Sequence, residues 1–287
     1  MSSNKIAIGS AQFGMSYGIT NKNGQVHQNE IDAILKLAWE NGINTLDTAK
    51  GYGTSEEAIG NYLKKWPENL WNVITKLCDR EISVADQIKD STEKLTIVPT
   101  VTMAHSAQIF LNEKFQSELA NAIKNQLINK TGVSLYNEDE INKILESNFK
   151  LDVIQLPMNI LDTRLYRNRM LARLYEKGIE IHVRSVFLQG MFYLSNSEIK
   201  ERFSDAVPVV NKLKSIAKTD GLSLAELSLL WLVSLEEVGK VIIGIDNEDQ
   251  LNNHLETLKK KVDPKVFEEV LSIYYENETI LNPSLWP

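Results

Sequence analysis

Leu46-Asp47-Thr48-Ala49-Lys50-Gly51-Tyr52-Gly53-Thr54-Ser55-Glu56 puts an acid and a phenol just beyond a short apolar run, with a glycine on each side of the tyrosine to turn the chain. Asn44-Thr45-Leu46 reads as a buried strand, and Ser55 opens a stretch of helical period that reaches Lys65. The same grammar recurs downstream: Val73-Ile74-Thr75 ends at Lys76, and Val101-Thr102-Met103-Ala104 ends at His105. Taken singly, Asp47 is a helix cap, Tyr52 a half-buried aromatic, Lys76 a surface ammonium and His105 a satisfied loop histidine. Three consecutive strands that each end in one of these groups point elsewhere. If the strands run parallel, Asp47, Tyr52, Lys76 and His105 converge at one end of a sheet or barrel, where α/β enzymes keep their sites.

Working outward, short runs rich in branched residues alternate with longer helical stretches, the pattern of βα units. Eight strands are expected, beginning near Ile6, Asn44, Val73, Val101, Thr131, Val153, Ile181 and Val241. Between them lie helices over Glu30 to Glu40, Ser55 to Lys65, Ser83 to Lys94, Glu138 to Glu146 and Arg167 to Glu176, with further helices after Ser223 (Leu224 to Leu235) and after Asp263. Gly42 and Gly178 stand where helices are capped before a following strand. No Pro/Gly/Ser-rich linker divides the chain. The expectation is one α/β domain over residues 1–287, a (β/α)8 TIM barrel of eight parallel strands with additional C-terminal helices; an open doubly wound sheet is the competing architecture.

Composition narrows the function. The formal net charge of −7 is spread along the chain, so no basic stripe suits nucleic acid, and no apolar run is long enough to span a membrane. Met1-Ser2-Ser3-Asn4-Lys5 enters the first strand without the apolar core of a secretion signal, and a lone cysteine, Cys78, rules out an internal disulfide; both fit a cytoplasmic protein. Cys78 lies two residues beyond Lys76, so either a lowered thiol pKa or simple packing is open to it. His182, inside a strand, is expected to be packed, and His27 and His254 exposed. No metal-ligand spacing stands out.

The four strand-end groups suit reduction of an aldehyde or ketone. A tyrosine protonates a carbonyl oxygen only if its pKa, near 10 when unperturbed, is brought toward neutrality, and an adjacent ammonium does this by stabilising phenolate. The lysine needs an anion to remain charged when buried, the role open to Asp47. His105 can orient the substrate oxygen by donating a hydrogen bond. A barrel lyase using Lys76 as a Schiff-base nucleophile is a rival reading.

At this point the chain resembles the aldo-keto reductase superfamily of nicotinamide-dependent (β/α)8 oxidoreductases. The resemblance rests on the run from Gly42 through Asp47, Tyr52 and Glu56 to Gly60, with Lys76 and His105 in register. It implies a catalytic tetrad of Asp47, Tyr52, Lys76 and His105, NADPH or NADH as cofactor, a small carbonyl substrate and a monomer. It also implies nicotinamide contacts from Ser134 and Gln155, although the asparagine that usually follows the serine is Leu135 here. Arg184 stands where the family's ring-stacking aromatic is usual. Gly244, Asp246 and Gln250 fall in the turn and helix that hold the dinucleotide's phosphates and adenosine, with Gln250 where many members carry an arginine. The carboxylate of Asp246 near the ribose points toward weak discrimination for NADPH. A regulatory protein of the same fold, similar to the potassium-channel β subunits, is the second rival. The short connection after His105, entering Ala107-Gln108-Ile109-Phe110 directly, points to an open site suited to a sugar or another polar carbonyl. Trp286 either covers the barrel mouth or anchors the C-terminus by packing.

Overall fold

Eight strands pair in sequential order, all parallel: β1 (Ile6–Gly9), β2 (Thr45–Asp47), β3 (Asn72–Leu77), β4 (Val101–Ala104), β5 (Lys130–Ser134), β6 (Val153–Pro157), β7 (Glu180–Arg184) and β8 (Val238–Gly244). β8 then pairs with β1, from Ile6 against Val241 to Gly9 against Gly244, and the sheet closes into a barrel. This computed structural model describes residues 3–79, 81–147 and 149–286. Met1, Ser2, Arg80, Asn148 and Pro287, which the expected single domain includes, lie outside the described residues. The (β/α)8 expectation holds, and closure disposes of the open sheet.

Sequence explains why these strands sit inside. β1, β2, β4 and β6 are buried at every residue, as parallel strands are when helices cover one face and the barrel interior the other. Within the barrel, Ile74, Val101, Met103 and Val153 form an apolar cluster separate from the main core. Side chains two residues apart on a strand share a face. Lys76 therefore follows Ile74, and Gln155 follows Val153, onto the same inward face one layer nearer the carboxyl end. A polar layer caps an apolar one.

Helices form where the period indicated, at Gln28–Glu40, Ser55–Lys65, Val84–Leu95, Glu138–Glu146, Leu224–Ser234 and Pro264–Leu271. Ser83 is an N-cap rather than a helical residue, and Asp263 caps the helix expected after it, each accepting a backbone N–H with its side chain. Gly42 and Gly178 adopt the left-handed conformation expected of caps, with φ of 78° and 72°. One expectation is corrected. Arg167 to Glu176 is not a single helix; it splits into Arg164–Arg167 and Met170–Glu176, because Arg169 sits at φ 56° and breaks the hydrogen-bond ladder. Beyond β7 the chain adds Asn196–Arg202 and Val207–Thr219, and beyond β8 Glu248–Thr257 and Glu278–Leu281. No helix among the described residues is long and apolar enough to cross a membrane.

Candidate active site

Lys76 is the hub of the polar layer. Its side chain is fully buried, and Nζ donates to Asp47 Oδ2 at 2.6 Å, to the Thr48 carbonyl at 3.0 Å and to Tyr52 Oη at 3.4 Å. Burial alone pulls an ammonium pKa down. Here the Asp47 charge and the hydrogen bonds to Asp47 and Tyr52 outweigh it, and the Lys76 pKa lies above its ordinary value. The other Asp47 oxygen accepts from Gln155 Nε2 at 2.7 Å, so both carboxylate oxygens are fixed.

Backbone geometry carries Tyr52 into this layer. The Asp47 carbonyl accepts from both the backbone N–H and the hydroxyl of Ser10, and Ser55 Oγ lies 2.7 Å from Ser10 Oγ and 3.0 Å from the Thr48 hydroxyl. A chain of hydroxyls thus ties the loop after β1 to the loop after β2. The contact needs glycine: a Cβ on Gly14 would lie 1.7 Å from the Tyr52 carbonyl oxygen, and Gly53 crosses the Gly14 carbonyl at φ 55°. Glu56 is buried and accepts from the Thr75 hydroxyl at 2.5 Å, which fixes the helix Ser55–Lys65 against β3.

His105 meets Tyr52 edge to face, with ring centroids 5.6 Å apart. Burial first, then the Lys76 charge, lower its pKa to about 4, so its imidazole is neutral at physiological pH. It can donate a hydrogen bond from a ring N–H, but it is not a reservoir of acid there.

Tyr52, His105 and Asp47 face a cavity of about 640 Å³, whose lining also includes Ser134, Arg184, Gly244, Asp246 and Gln250. Eight of the ten residues singled out in the sequence therefore share one cavity wall. Lys76 and Gln155 stand behind that wall, each 0% exposed. Sequence reasoning passed over much of the wall, including Ser10, Gln12 and Tyr17 from the β1 loop, Tyr136 after β5, and Phe187 and Tyr193 after β7. The signal in the first of these was available, since Gly9-Ser10-Ala11-Gln12-Phe13-Gly14 follows a strand with glycines at both ends. The connection after β4 is short, as expected, with Ser106 capping Ala107–Phe110. The β1 and β7 loops wall the cavity instead, joined where Ile19 N–H donates to the Gln189 carbonyl at 3.0 Å.

A family model described as the aldo/keto reductase family matches residues 5–274. The chain belongs to that family. Among solved structures it is similar to the aldo-keto reductase AKR11C1 from Bacillus halodurans, in its holo form, with a TM-score of 0.77 and 18% identity over 95% of this chain and 94% of that one. It is likewise similar to the glycerol dehydrogenase AKR11B4 from Gluconobacter oxydans, with a TM-score of 0.71 and 17% identity over 95% of each chain. At these identities the likeness is one of fold.

For an aldo/keto reductase, the turn after β8 is the place to ask whether a dinucleotide fits. A Cβ on Gly244 would lie 2.4 Å from Gln12 Nε2, so the Gln12 amide packs directly on the bare backbone of this corner. Asp246 Oδ1 is buried without a hydrogen-bond partner, while Oδ2 accepts from Gln250 Nε2 at 3.1 Å. An acceptor held in place and unpartnered suits a ribose hydroxyl. The helix Glu248–Thr257 is less available as an anion site than its sequence suggests. Glu248 N–H donates to the Glu30 carboxylate at 2.9 Å, Gln250 N–H to Asn247 Oδ1 at 2.9 Å, and Asp246 N–H to Gln250 Oε1 at 2.8 Å.

Several peripheral expectations resolve as well. His182 is buried, bonded to Glu180 at 3.0 Å, and His27 is exposed. His254 is not exposed: it is 9% accessible and stacks on Phe187 at 4.9 Å, because the long β7 loop folds over its helix. Cys78 is exposed, and its pKa is raised, desolvation outweighing the Lys50 charge, so an activated thiol is not found. Trp286 packs on Phe203 at 4.4 Å and donates to the Ile280 carbonyl; Pro283 and Ser284, rather than the indole, reach the cavity.

Proposed function

We propose that this protein is an NAD(P)H-dependent reductase of small aldehydes or ketones, with Tyr52 as the general acid. The observation that carries the reading is the Lys76 ammonium, buried between Asp47 Oδ2 at 2.6 Å and Tyr52 Oη at 3.4 Å. When the phenol gives its proton to the substrate oxygen, the positive charge beside it offsets the charge left on the ring oxygen. Asp47 keeps that lysine charged, and Gln155 and Ser10 keep Asp47 in place. Neutral His105 donates a hydrogen bond that orients the substrate oxygen toward the phenol.

Gly244, Asp246, Gln250 and Ser134 are the groups that would hold NADH or NADPH, which supplies the hydride when bound. Schiff-base chemistry at Lys76 fits poorly, because a lysine nucleophile must be neutral and reachable, and this one is protonated, ion-paired and 0% exposed. Every group invoked comes from one chain, in keeping with a working monomer, and an unpaired thiol is in keeping with a reducing cytoplasm. The test is oxidation of NADPH and NADH in the presence of a panel of aldehydes and ketones, for wild type and Tyr52→Phe. The variant should lose roughly two to four orders of magnitude in kcat while its dinucleotide affinity changes little. Turnover near that of wild type would place the acid elsewhere.

A further inference from the structure

The cavity wall holds a charge that no neighbour neutralises. Arg184 ends β7, is half-buried and lines the cavity with Tyr52 and His105. Among the described residues no carboxylate forms an ion pair with it. The charges around it cancel or are absent: Asp47 is paired with Lys76 at 2.6 Å, and His105 is neutral. Asp246, the other carboxylate on the wall, lies at the turn after β8 and bonds Gln250.

The guanidinium is held where it stands. It stacks over the Tyr136 ring at 4.4 Å; Nε donates to Ser134 Oγ at 3.4 Å, Nη1 to Ser185 Oγ at 3.3 Å and Nη2 to the Leu135 carbonyl at 3.3 Å. All three acceptors are uncharged, so they fix the cation without offsetting it. Its field is felt by the groups nearby. After burial and the Lys76 charge, it contributes to lowering the His105 pKa, and it opposes the upward push that burial gives the Tyr17 phenol. A partly buried charge is screened less by salt and water than one on the open surface.

A nicotinamide ring is neutral when reduced and carries one positive charge when oxidised, while the rest of the dinucleotide is the same in both states. Hydride has to reach the carbon of the carbonyl whose oxygen Tyr52 protonates, so the ring belongs at the end of the cavity that Tyr52, His105 and Arg184 share. Ser134, assigned above to the dinucleotide, is itself bonded to Arg184. We propose that Arg184 discriminates between the two redox states of the cofactor, repelling the oxidised ring and leaving the reduced dinucleotide as the preferred ligand; this rests on the reductase reading above. A site built in this way releases spent cofactor readily. It also keeps working as a reductase where oxidised dinucleotide outnumbers reduced, because the oxidised form competes poorly for the cavity.

The test measures dissociation constants by calorimetry for NADH, NAD⁺, NADPH, NADP⁺ and ADP-ribose, with no carbonyl substrate present, on wild type, Arg184→Gln, Arg184→Met and Arg184→Lys. Comparing oxidised with reduced dinucleotide on one protein cancels the contacts to phosphates and adenosine. On wild type the reduced form should bind about 10- to 100-fold more tightly than its oxidised counterpart, the range for two like unit charges a few ångströms apart under screening between that of water and that of a protein interior. Relative to ADP-ribose, which lacks the ring, the oxidised ring should add little affinity and the reduced ring nearly all of the difference. The two neutral variants should bring the ratio toward one by tightening the oxidised form, a gain that general damage to the site does not produce. Arg184→Lys, which keeps the charge, should keep most of the ratio. One folded neutral variant suffices, and the ADP-ribose comparison on wild type needs none. A wild type on which the oxidised ring adds as much affinity as the reduced one overturns the proposal and leaves the reductase reading intact. So does a ratio that the neutral variants leave unmoved. Binding of no dinucleotide in either redox state overturns both.

Discussion

Replacing Lys76 with methionine tests the centre of the site, because methionine keeps about the volume of the lysine stem while deleting the charge and its N–H donors. The ammonium makes three hydrogen bonds, at 2.6, 3.0 and 3.4 Å, from a fully buried position. Its removal leaves Asp47, 3% exposed, with Gln155 as its remaining side-chain partner. Breaking one side of a buried ion pair costs about 3–5 kcal/mol, most of it from the charge left behind. Unfolding entropy near 2.1 cal/mol/K per residue comes to roughly 600 cal/mol/K for a chain of this size, so the loss corresponds to a drop in Tm of about 5–8 °C. Asp47→Asn in the same background removes the stranded charge while preserving shape. The double variant should therefore lose less than the sum of the two single changes, by about 2 kcal/mol or more. Thermal unfolding followed by far-ultraviolet circular dichroism for all four proteins completes the cycle. A Lys76→Met Tm within a degree of wild type, or strictly additive losses, would falsify the account of Lys76 and Asp47 as a mutually dependent buried pair. Both single variants should also lose carbonyl reduction, since neither leaves a charge to support the phenol.

Gly14→Ala should impair turnover more than its distance from the chemistry suggests: the added Cβ would sit 1.7 Å from the Tyr52 carbonyl oxygen, forcing apart the loops after β1 and β2. An overpacking cost of about 1–3 kcal/mol and a fall in kcat with little change in dinucleotide affinity are expected, and unchanged kcat would mean that the loops yield freely. His105 and His254 both have pKa values lowered from 6.5 to about 4 in the folded protein, so between those values the unfolded chain binds more protons. Stability should therefore be full above about pH 6.5 and decline as pH falls toward 4, by at most roughly 3 kcal/mol per histidine. His254→Asn should flatten part of that decline in urea titrations, and an unaltered pH profile would assign the acid limb to other groups. If the dinucleotide lies as proposed, NADH should serve about as well as NADPH, because Asp246 lines the cavity with an unpartnered oxygen and the nearby helix N–H groups already bond Glu30 and Asn247. Asp246→Ser should shift kcat/KM toward NADPH by about tenfold; a strong wild-type preference for NADPH that the substitution does not move would show that this carboxylate points away from the ribose.

Much of this protein is legible before any coordinates. Hydrophobic period is local, so the eight strands and most helices follow from it, and a polar residue that closes each of three successive strands marks one end of a parallel barrel. Asp47, Lys76 and His105 were legible for that reason, and Tyr52 because glycines flank it. What remained hidden depends on closure. Gln155 meets Asp47 across 108 residues of sequence only because β2 and β6 point side chains into the same barrel interior. Lys76 and Gln155 fall behind the cavity wall rather than on it because alternation along a strand selects a face without fixing its depth. Arg184 stands where a ring-stacking residue is usual, but its place against Tyr136 and its three uncharged acceptors come from the meeting of β5, β7 and the loop after β7. His254 looked exposed until that same loop folded over it. Periodicity and strand-end chemistry are written within a few residues of chain, whereas the partners of each buried charge are set by which distant strands a closed barrel brings face to face.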